Sequence, residues 1–163
     1  MSRAFVKEND LEHSGIHFPE KIISKHTNYV TTLGFIGLKK SLTKIDNQIK
    51  KLKKEDSANI DKKFRLEREF RYLTARINSA VIIDPKKQNK DHVLFSAKVI
   101  LSDKKNNKYS FTIVGEDEAD SKKNKISYIS PLAKILLGNK LGDEIEWERN
   151  KKKHLLKIIK IHY

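Results

Sequence analysis

The sequence predicts an α+β protein, in which an N-terminal antiparallel helical hairpin precedes a twisted antiparallel sheet with one short helix. Two observations support this prediction: apolar residues recur at helical spacing up to residue 84 and at alternating spacing beyond residue 92. Asp84-Pro85 marks the change, because proline lacks a backbone N–H and disfavours helix in the residue before it. The predicted organisation is an arm (1–30), a helical hairpin or coiled coil (31–84), a linker (85–91) and a sheet domain (92–163).

Composition and charge favour a water-soluble protein with an anionic partner. The 163 residues are 37% hydrophobic and 34% charged, and the formal net charge is +14. Such a charge attracts nucleic acid or an acidic protein surface over long range, although a merely solvated lysine-rich surface is the alternative. No apolar run approaches the roughly 20 residues that span a bilayer. The N-terminus lacks the apolar core of a signal peptide and cysteine is absent, so we expect a cytoplasmic protein without a membrane partner.

Residues 1–30 show no sustained periodicity, which predicts an extended or partly ordered arm. His13, His17 and His26 are loosely spaced and no acid faces them on a helix. This pattern favours surface histidines over metal ligands. The sequence indicates no role for the arm.

Two apolar seams of equal length predict the hairpin, with Thr31 and Thr32 as candidate N-caps of the first helix. Both seams follow the 4, 3, 4, 3 spacing of heptads: Leu38, Leu42, Ile45, Ile49 and Leu52, then Leu66, Phe70, Leu73, Ile77 and Ala80. A polar stretch (53–65) joins them, so the seams can bury each other by folding back, with the polar join at the tip. A parallel intermolecular coiled coil is the alternative. About two heptads are short for independent dimerisation, and we expect a monomer.

Alternating apolar residues predict the strands of the sheet domain. They are Val93, Phe95, Ala97 and Val99, then Tyr109, Phe111 and Ile113. Asn106-Asn107 between them suits a hairpin turn, because asparagine tolerates positive φ. Ser130 and Pro131 predict the start of a short helix over 132–137, which Gly138 ends. Two further strands are expected over 144–149 and 154–161.

An acidic turn is the densest cluster of possible cation ligands: Glu116, Asp117, Glu118 and Asp120. It lacks the Asp-x-Asp-x-Asp-Gly pattern and the terminal bidentate glutamate of a calcium loop, so a solvated turn is the preferred interpretation. The chain shows no paired general acid and base, no nucleophile elbow and no phosphate-cradling glycine loop. We therefore expect no enzymatic activity of its own.

Four motifs occur in an order and spacing that resembles the C-terminal domain of the bacterial transcript-cleavage factors GreA and GreB. They are IVGEDEAD at 113–120, KIS at 125–127, SPLA at 130–133 and LGNKLGDEI at 137–145. Residues 71–84 resemble the end of the second helix of GreB, and residues 32–42 resemble the start of the first. The resemblance implies an FKBP-like sheet domain and RNA polymerase as the partner. Prolyl isomerisation is a minor alternative, because a fold does not imply a function.

The resemblance also implies a role for the hairpin tip. In this family the hairpin enters the secondary channel of RNA polymerase, where tip acids help to hold a magnesium ion and water at the polymerase active site. Asp56 and Asp61 match these acids, whereas the family's glutamate falls on Ala58. Each arm is shorter than the usual arm by roughly two helical turns, or about 10 Å. Stimulated cleavage of backtracked RNA is the leading hypothesis, and a regulator that docks in the same place without cleavage is the alternative.

This hypothesis requires no cofactor of the protein's own, because Mg²⁺ would be shared with the polymerase. The family docks its C-terminal domain on a coiled coil of the polymerase through a loop that here comprises Ile129, Ser130, Pro131, Leu132 and Ala133. Docking requires an exposed apolar anchor at Pro131 and Leu132; in the alternative, the loop only starts a helix and Leu132 packs inside. Contacts between the basic chain and nearby nascent RNA or DNA are a further expectation.

Overall fold

The computed structural model describes residues 19–52, 57–149 and 151–163. The predicted α+β architecture is confirmed, with a helical hairpin followed by a curled sheet. In chain order the helices and strands are β1 (Tyr29–Thr31), α1 (Thr32–Lys51), α2 (Ser57–Asn78), β2 (Val81–Ile83), β3 (Lys98–Asp103), β4 (Lys108–Val114), β5 (Lys125–Ser127), α3 (Pro131–Leu136), β6 (Glu144–Arg149) and β7 (Lys152–His162).

The hairpin packs along the two predicted seams. Thr31 is the N-cap of α1, where its Oγ1 accepts a hydrogen bond from the Gly34 N–H at 2.9 Å. Leu38 and Leu73 are buried between the helices, and other seam residues pack around them half-buried. The 20 residues of α1 and 22 of α2 correspond to roughly 30 Å of helix each at 1.5 Å per residue. No described helix is long and apolar enough to cross a bilayer.

The join between the helices is shorter than the sequence predicted. A polar join over 53–65 was expected, but α2 already begins at Ser57. The first turns of α2 have little to bury, since Ile60 and Phe64 are 45% and 38% exposed. A largely solvated helical segment carries no sustained apolar seam, so the spacing of apolar residues did not predict helix here.

A short parallel sheet at the base of the hairpin was not predicted. β1 leads directly into α1 and β2 follows α2, with Tyr29 opposite Val81 and Thr31 opposite Ile83. The preceding arm residues also contact α2: the Pro19 carbonyl accepts from Arg68 at 3.0 Å, and the Asn28 Nδ2 donates to the Arg76 carbonyl at 2.7 Å. The end of the arm is therefore part of the fold.

The larger sheet has five strands in the order β5-β4-β3-β7-β6. Neighbours are antiparallel except β4 and β5, so the sheet is mixed and the fully antiparallel prediction is wrong on this point. The chain turns twice between these strands, through the acidic turn and the Ser121–Lys123 turn, and enters β5 in the direction of β4. α3 covers the core, which includes Val99, Leu101, Ile113, Leu156 and Ile158.

The segment before β3 shows where alternation misled the strand prediction. Val93 and Ala97 are fully buried, but β3 starts only at Lys98. Ser96 has φ 66°, and the Ala97 N–H donates to the Leu94 carbonyl at 3.1 Å, so the chain turns here. In this segment the alternating apolar residues therefore reflect the burial of side chains and not the pairing of strands. The predicted turn at Asn106, the helix at Pro131 and the last two strands are present.

Candidate functional site

One of the two predicted tip acids lies among the described residues. Asp61 is half-buried and is the fifth residue of α2, about 6 Å along the helix axis from its first residue. Asp61 therefore lies within the second turn of α2 and not in the join between the helices. Asp56 lies outside the described residues. In the described part of the chain, no cluster of three or more histidine or carboxylate side chains could hold a metal ion.

Lysines accompany the described acids near this end of the hairpin. The Lys50 ammonium lies 2.5 Å from the Asp46 carboxylate, and Lys63 lies 3.7 Å from Glu67. Both pairs are one helical turn apart and solvent-exposed, so each contributes only a few tenths of a kcal/mol, about 0.3–0.5. Their effect is on the local field, which these lysines make less negative.

The predicted docking loop is only partly exposed. The Ser130 Oγ accepts from the Ala133 N–H at 3.3 Å and caps α3, and Pro131 is exposed. Leu132, in contrast, is 6% exposed and packs in the core. The expectation of an exposed Leu132 is therefore wrong, because the six-residue helix directs this side chain to the sheet together with Ala133.

The exposed apolar surface of this region comprises Pro131 and Ile135. Ile135 is 38% exposed and follows Pro131 by four residues, a spacing that puts both on one face of a helix. Ile135 was not among the docking residues predicted from the sequence. The i, i+4 spacing from Pro131 was the signal that could have found it.

The acidic turn after β4 joins the sheet domain to the base of the hairpin. The Asp117 carboxylate accepts from the Arg76 Nε–H and from the Tyr72 hydroxyl, both at 2.6 Å. The Glu116 carboxylate accepts from the Arg76 Nη2–H at 3.2 Å. Arg76 is 1% exposed, so its guanidinium lies in the interior with two carboxylates as partners. The interpretation of the acidic turn as solvated is therefore wrong. We use the name clasp for the residues that join the two parts: Arg76, Tyr72, Glu116, Asp117 and Glu118.

Glu118 connects the clasp to the start of α1. Its carboxylate accepts from the Thr31 N–H at 2.8 Å and from the Thr31 hydroxyl at 2.5 Å. A negative charge at a helix N-terminus also interacts favourably with the helix dipole. A Cβ at Gly34 would lie 2.0 Å from the Glu118 carboxyl carbon. Glycine at this position is what lets the carboxylate reach the cap.

Burial and hydrogen bonding keep two members of the clasp, Tyr72 and Arg76, protonated. Burial, followed by the hydrogen bond to Asp117, raises the pKa of Tyr72 to about 12. Burial is the largest single effect and lowers the pKa of Arg76, but the hydrogen bond to Asp117 and the charges of Asp117 and Glu116 together outweigh it, so the pKa rises overall. Tyr72 and Arg76 therefore remain hydrogen-bond donors throughout the physiological pH range.

An aromatic cluster reinforces the same junction. Tyr29 of β1 lies 5.5 Å from Tyr128 and 6.0 Å from Phe95 between ring centroids. The Tyr128 hydroxyl donates to the Thr27 carbonyl of the arm. Ring pairs in this geometry add about 0.5–1.5 kcal/mol beyond their buried area. The junction of hairpin and sheet is therefore held by both ionic and aromatic contacts.

The fold and the clasp define a class of protein in which a helical hairpin is mounted on a curled sheet domain through buried contacts. The family model for the C-terminal domain of transcription elongation factor GreA/GreB matches residues 87–163. Transcription elongation factor GreB of Neisseria meningitidis serogroup B is 31% identical over 153 residues, which cover 83% of this chain and 94% of that protein. The chain belongs to the GreA/GreB family of transcription elongation factors.

Two further comparisons have narrower coverage or lower identity. Transcription elongation factor GreA of Nautilia profundicola is 41% identical over 87 residues, covering 53% of this chain and 54% of that protein. The solved structure of the GreA/GreB factor from Nitrosomonas europaea is 21% identical and covers 83% of this chain and 99% of its own, with a TM-score of 0.44.

Proposed function

We propose that this protein binds RNA polymerase through its sheet domain and directs the hairpin into the polymerase's secondary channel. Family membership supports the partner, and the alignment with GreB extends beyond the sheet domain. The observation that carries the proposal is the buried clasp, because Arg76 of α2 and the acidic turn after β4 hold the two parts in one orientation. Where the sheet domain binds therefore also sets the direction of the hairpin.

The leading activity is stimulation of RNA hydrolysis by the polymerase itself, with no catalysis by this chain alone. Mg²⁺ shared with the polymerase would polarise the phosphate and activate water. Such an ion needs only one or two protein carboxylates, since water and phosphate complete its shell. Asp61 is half-buried on α2 and, together with Asp56, would fit that small donor set.

A regulator that occupies the channel without stimulating cleavage is the second candidate. Asp61 lies about one turn below the start of α2, and lysines pair with the neighbouring acids. Both features weaken the negative field that a magnesium ion needs at the tip. The same docking surface would serve this function.

Cleavage of RNA in backtracked elongation complexes separates the two candidates. We expect the parent protein to stimulate cleavage and the double variant Asp56→Asn, Asp61→Asn to lose that stimulation with polymerase binding retained. An amide oxygen is the weaker magnesium ligand and carries no charge to offset the ion. Glu67→Gln is the matched control, because it removes an acid from the same helix further from the tip.

Two other results would redirect the proposal. A parent protein that fails to stimulate cleavage but competes with a cleavage-active GreA or GreB for the polymerase would identify the non-cleaving regulator. Robust cleavage that survives the double change would exclude these two acids as metal ligands. Failure to bind polymerase at all would contradict the proposed function itself.

A further inference from the structure

One half of β4 has a free edge. β5 pairs with β4 only over 112–114, so residues 108–111 have no neighbour on that side among the described strands. The Thr112 N–H donates to Asn124 on this side at 2.9 Å, whereas the Ile113 N–H donates to Ala97 in the opposite direction. Because these directions alternate along a strand, the N–H and C=O of Ser110 point to the free side, as those of Thr112 do.

An aromatic cavity of about 400 Å³ borders this edge. The cavity is open to solvent and lies where the sheet curls and β6 approaches β4. There Phe111 and Trp147 meet edge to face with ring centroids 5.9 Å apart. Tyr109 and Ile126 complete its apolar lining, and these four side chains are only partly buried. Their remaining accessible surface lines this space, which has room for more than one bulky side chain.

A cation lies at the rim of the cavity. Lys108 is exposed and forms no ion pair with any acid in the described ranges. The cavity thus combines an unpaired strand edge, an aromatic lining and a free positive charge. Each of these features is separate from the clasp and from the Pro131–Ile135 surface.

We propose that this cavity binds an extended segment of another polypeptide, which adds as a strand to the free edge of β4. In this binding mode main-chain hydrogen bonds provide affinity, and a pocket for alternate side chains provides specificity. The segment places one bulky apolar side chain against Phe111 and Trp147, and a neighbouring carboxylate faces Lys108. The inference does not depend on the proposed function.

The strand edge favours a peptide over single-stranded nucleic acid. Bases also stack on aromatic rings beside a basic groove. A nucleic acid strand, however, has no repeating N–H and C=O groups to match those of Ser110. A polypeptide uses all three features of the cavity, and a nucleic acid uses two.

Trp147 provides a direct measurement, because it is the only tryptophan of the chain. Its fluorescence in the full-length protein would be titrated with four synthetic peptides of the form acetyl-Thr-Glu-Xaa-Thr-Ser-amide, where Xaa is Phe, Tyr, Leu or Ile. We expect saturable changes in emission for at least one peptide. An alanine at Xaa, or N-methylation of Xaa and the next residue, should weaken binding at least about tenfold, a difference of about 1.4 kcal/mol.

Substitutions in the protein test the same contacts from the other side. Ser110→Pro removes the outward N–H, and proline is tolerated at strand edges because the ladder bond to the other neighbour is unaffected. We expect binding to weaken about tenfold in Ser110→Pro and to weaken in Lys108→Glu. Lys98→Glu makes the same change of charge at an exposed position of β3 and should leave peptide binding unchanged.

If Ser110→Pro does not fold, the N-methylated peptide still tests the hydrogen bond. Equal binding of methylated and unmethylated peptides would overturn strand addition. No change in Trp147 emission with any of the four peptides at millimolar concentration would overturn the site. A response to an eight-residue deoxythymidine oligonucleotide but to no peptide would replace the proposal by nucleic-acid binding.

Discussion

Two glycines of α1 illustrate how a single atom decides the geometry of the junction. A Cβ at Gly34 would lie 2.0 Å from the Glu118 carboxyl carbon, whereas a Cβ at Gly37 would meet nothing within 4 Å. Both residues lie in the same helix. Glycine in a helix interior costs about 0.5–1 kcal/mol relative to alanine, so only a local contact can make it favourable there.

We therefore expect opposite effects from the same substitution at these two positions. Gly37→Ala should raise the free energy of unfolding by about 0.5–1 kcal/mol. Gly34→Ala should lower it, because the new methyl group displaces the Glu118 carboxylate from the Thr31 N–H. Urea unfolding followed by circular dichroism measures both changes. Equal stabilisation by the two substitutions would contradict the contact between Glu118 and the helix cap.

At the scale of helices and strands, the clasp connects α2 to the turn after β4. Arg76 is nearly fully buried, and its charge is balanced by Glu116 and Asp117. Removing one partner of a buried ion pair leaves the other uncompensated, which is more harmful than the pair's net contribution suggests. Arg71, five residues earlier on α2, instead pairs with Glu20 at an exposed position.

Arg76→Met and Arg71→Met should consequently differ in stability. We expect Arg76→Met to cost on the order of 3 kcal/mol, because two largely buried carboxylates lose their cation. Arg71→Met should change the stability much less, because exposed ion pairs contribute little. Thermal unfolding at neutral pH compares them. Similar midpoints for the two variants would show that the clasp does not hold the hairpin on the sheet.

The sequence predicted the seams and the strands β4, β6 and β7, because the periods of their apolar residues reflect burial directly. Leu38 and Leu73 lie in the hairpin core as their heptad spacing indicated. The clasp was not predictable in this way: its acids and Arg76 are about 40 residues apart in sequence, and their pairing depends on how α2 meets β4. Local pattern likewise could not show that Leu132 is buried, since that depends on which face of α3 meets the sheet.

At the scale of the whole molecule, the hairpin and the sheet domain form one connected unit. The clasp and the Tyr29–Phe95–Tyr128 cluster join the two parts at the base of the hairpin. The orientation of the hairpin therefore depends on where the sheet domain binds. Pro131 of the predicted docking loop remains available to a partner, and Ile135, which lies outside that loop, extends the same exposed surface.

The double variant Pro131→Asp, Ile135→Asp should weaken binding to core RNA polymerase by more than about tenfold, or 1.4 kcal/mol, in the intact protein. Two charges would enter the centre of an apolar contact, and such losses act mainly through faster dissociation. Leu141→Asp is the matched control, because Leu141 is 63% exposed on the same domain but lies in the turn before β6. Dissociation rates measured with immobilised polymerase distinguish the variants, provided that circular dichroism shows an intact fold. A double variant that dissociates as slowly as the parent would require the docking surface to lie elsewhere on the sheet domain or on the hairpin.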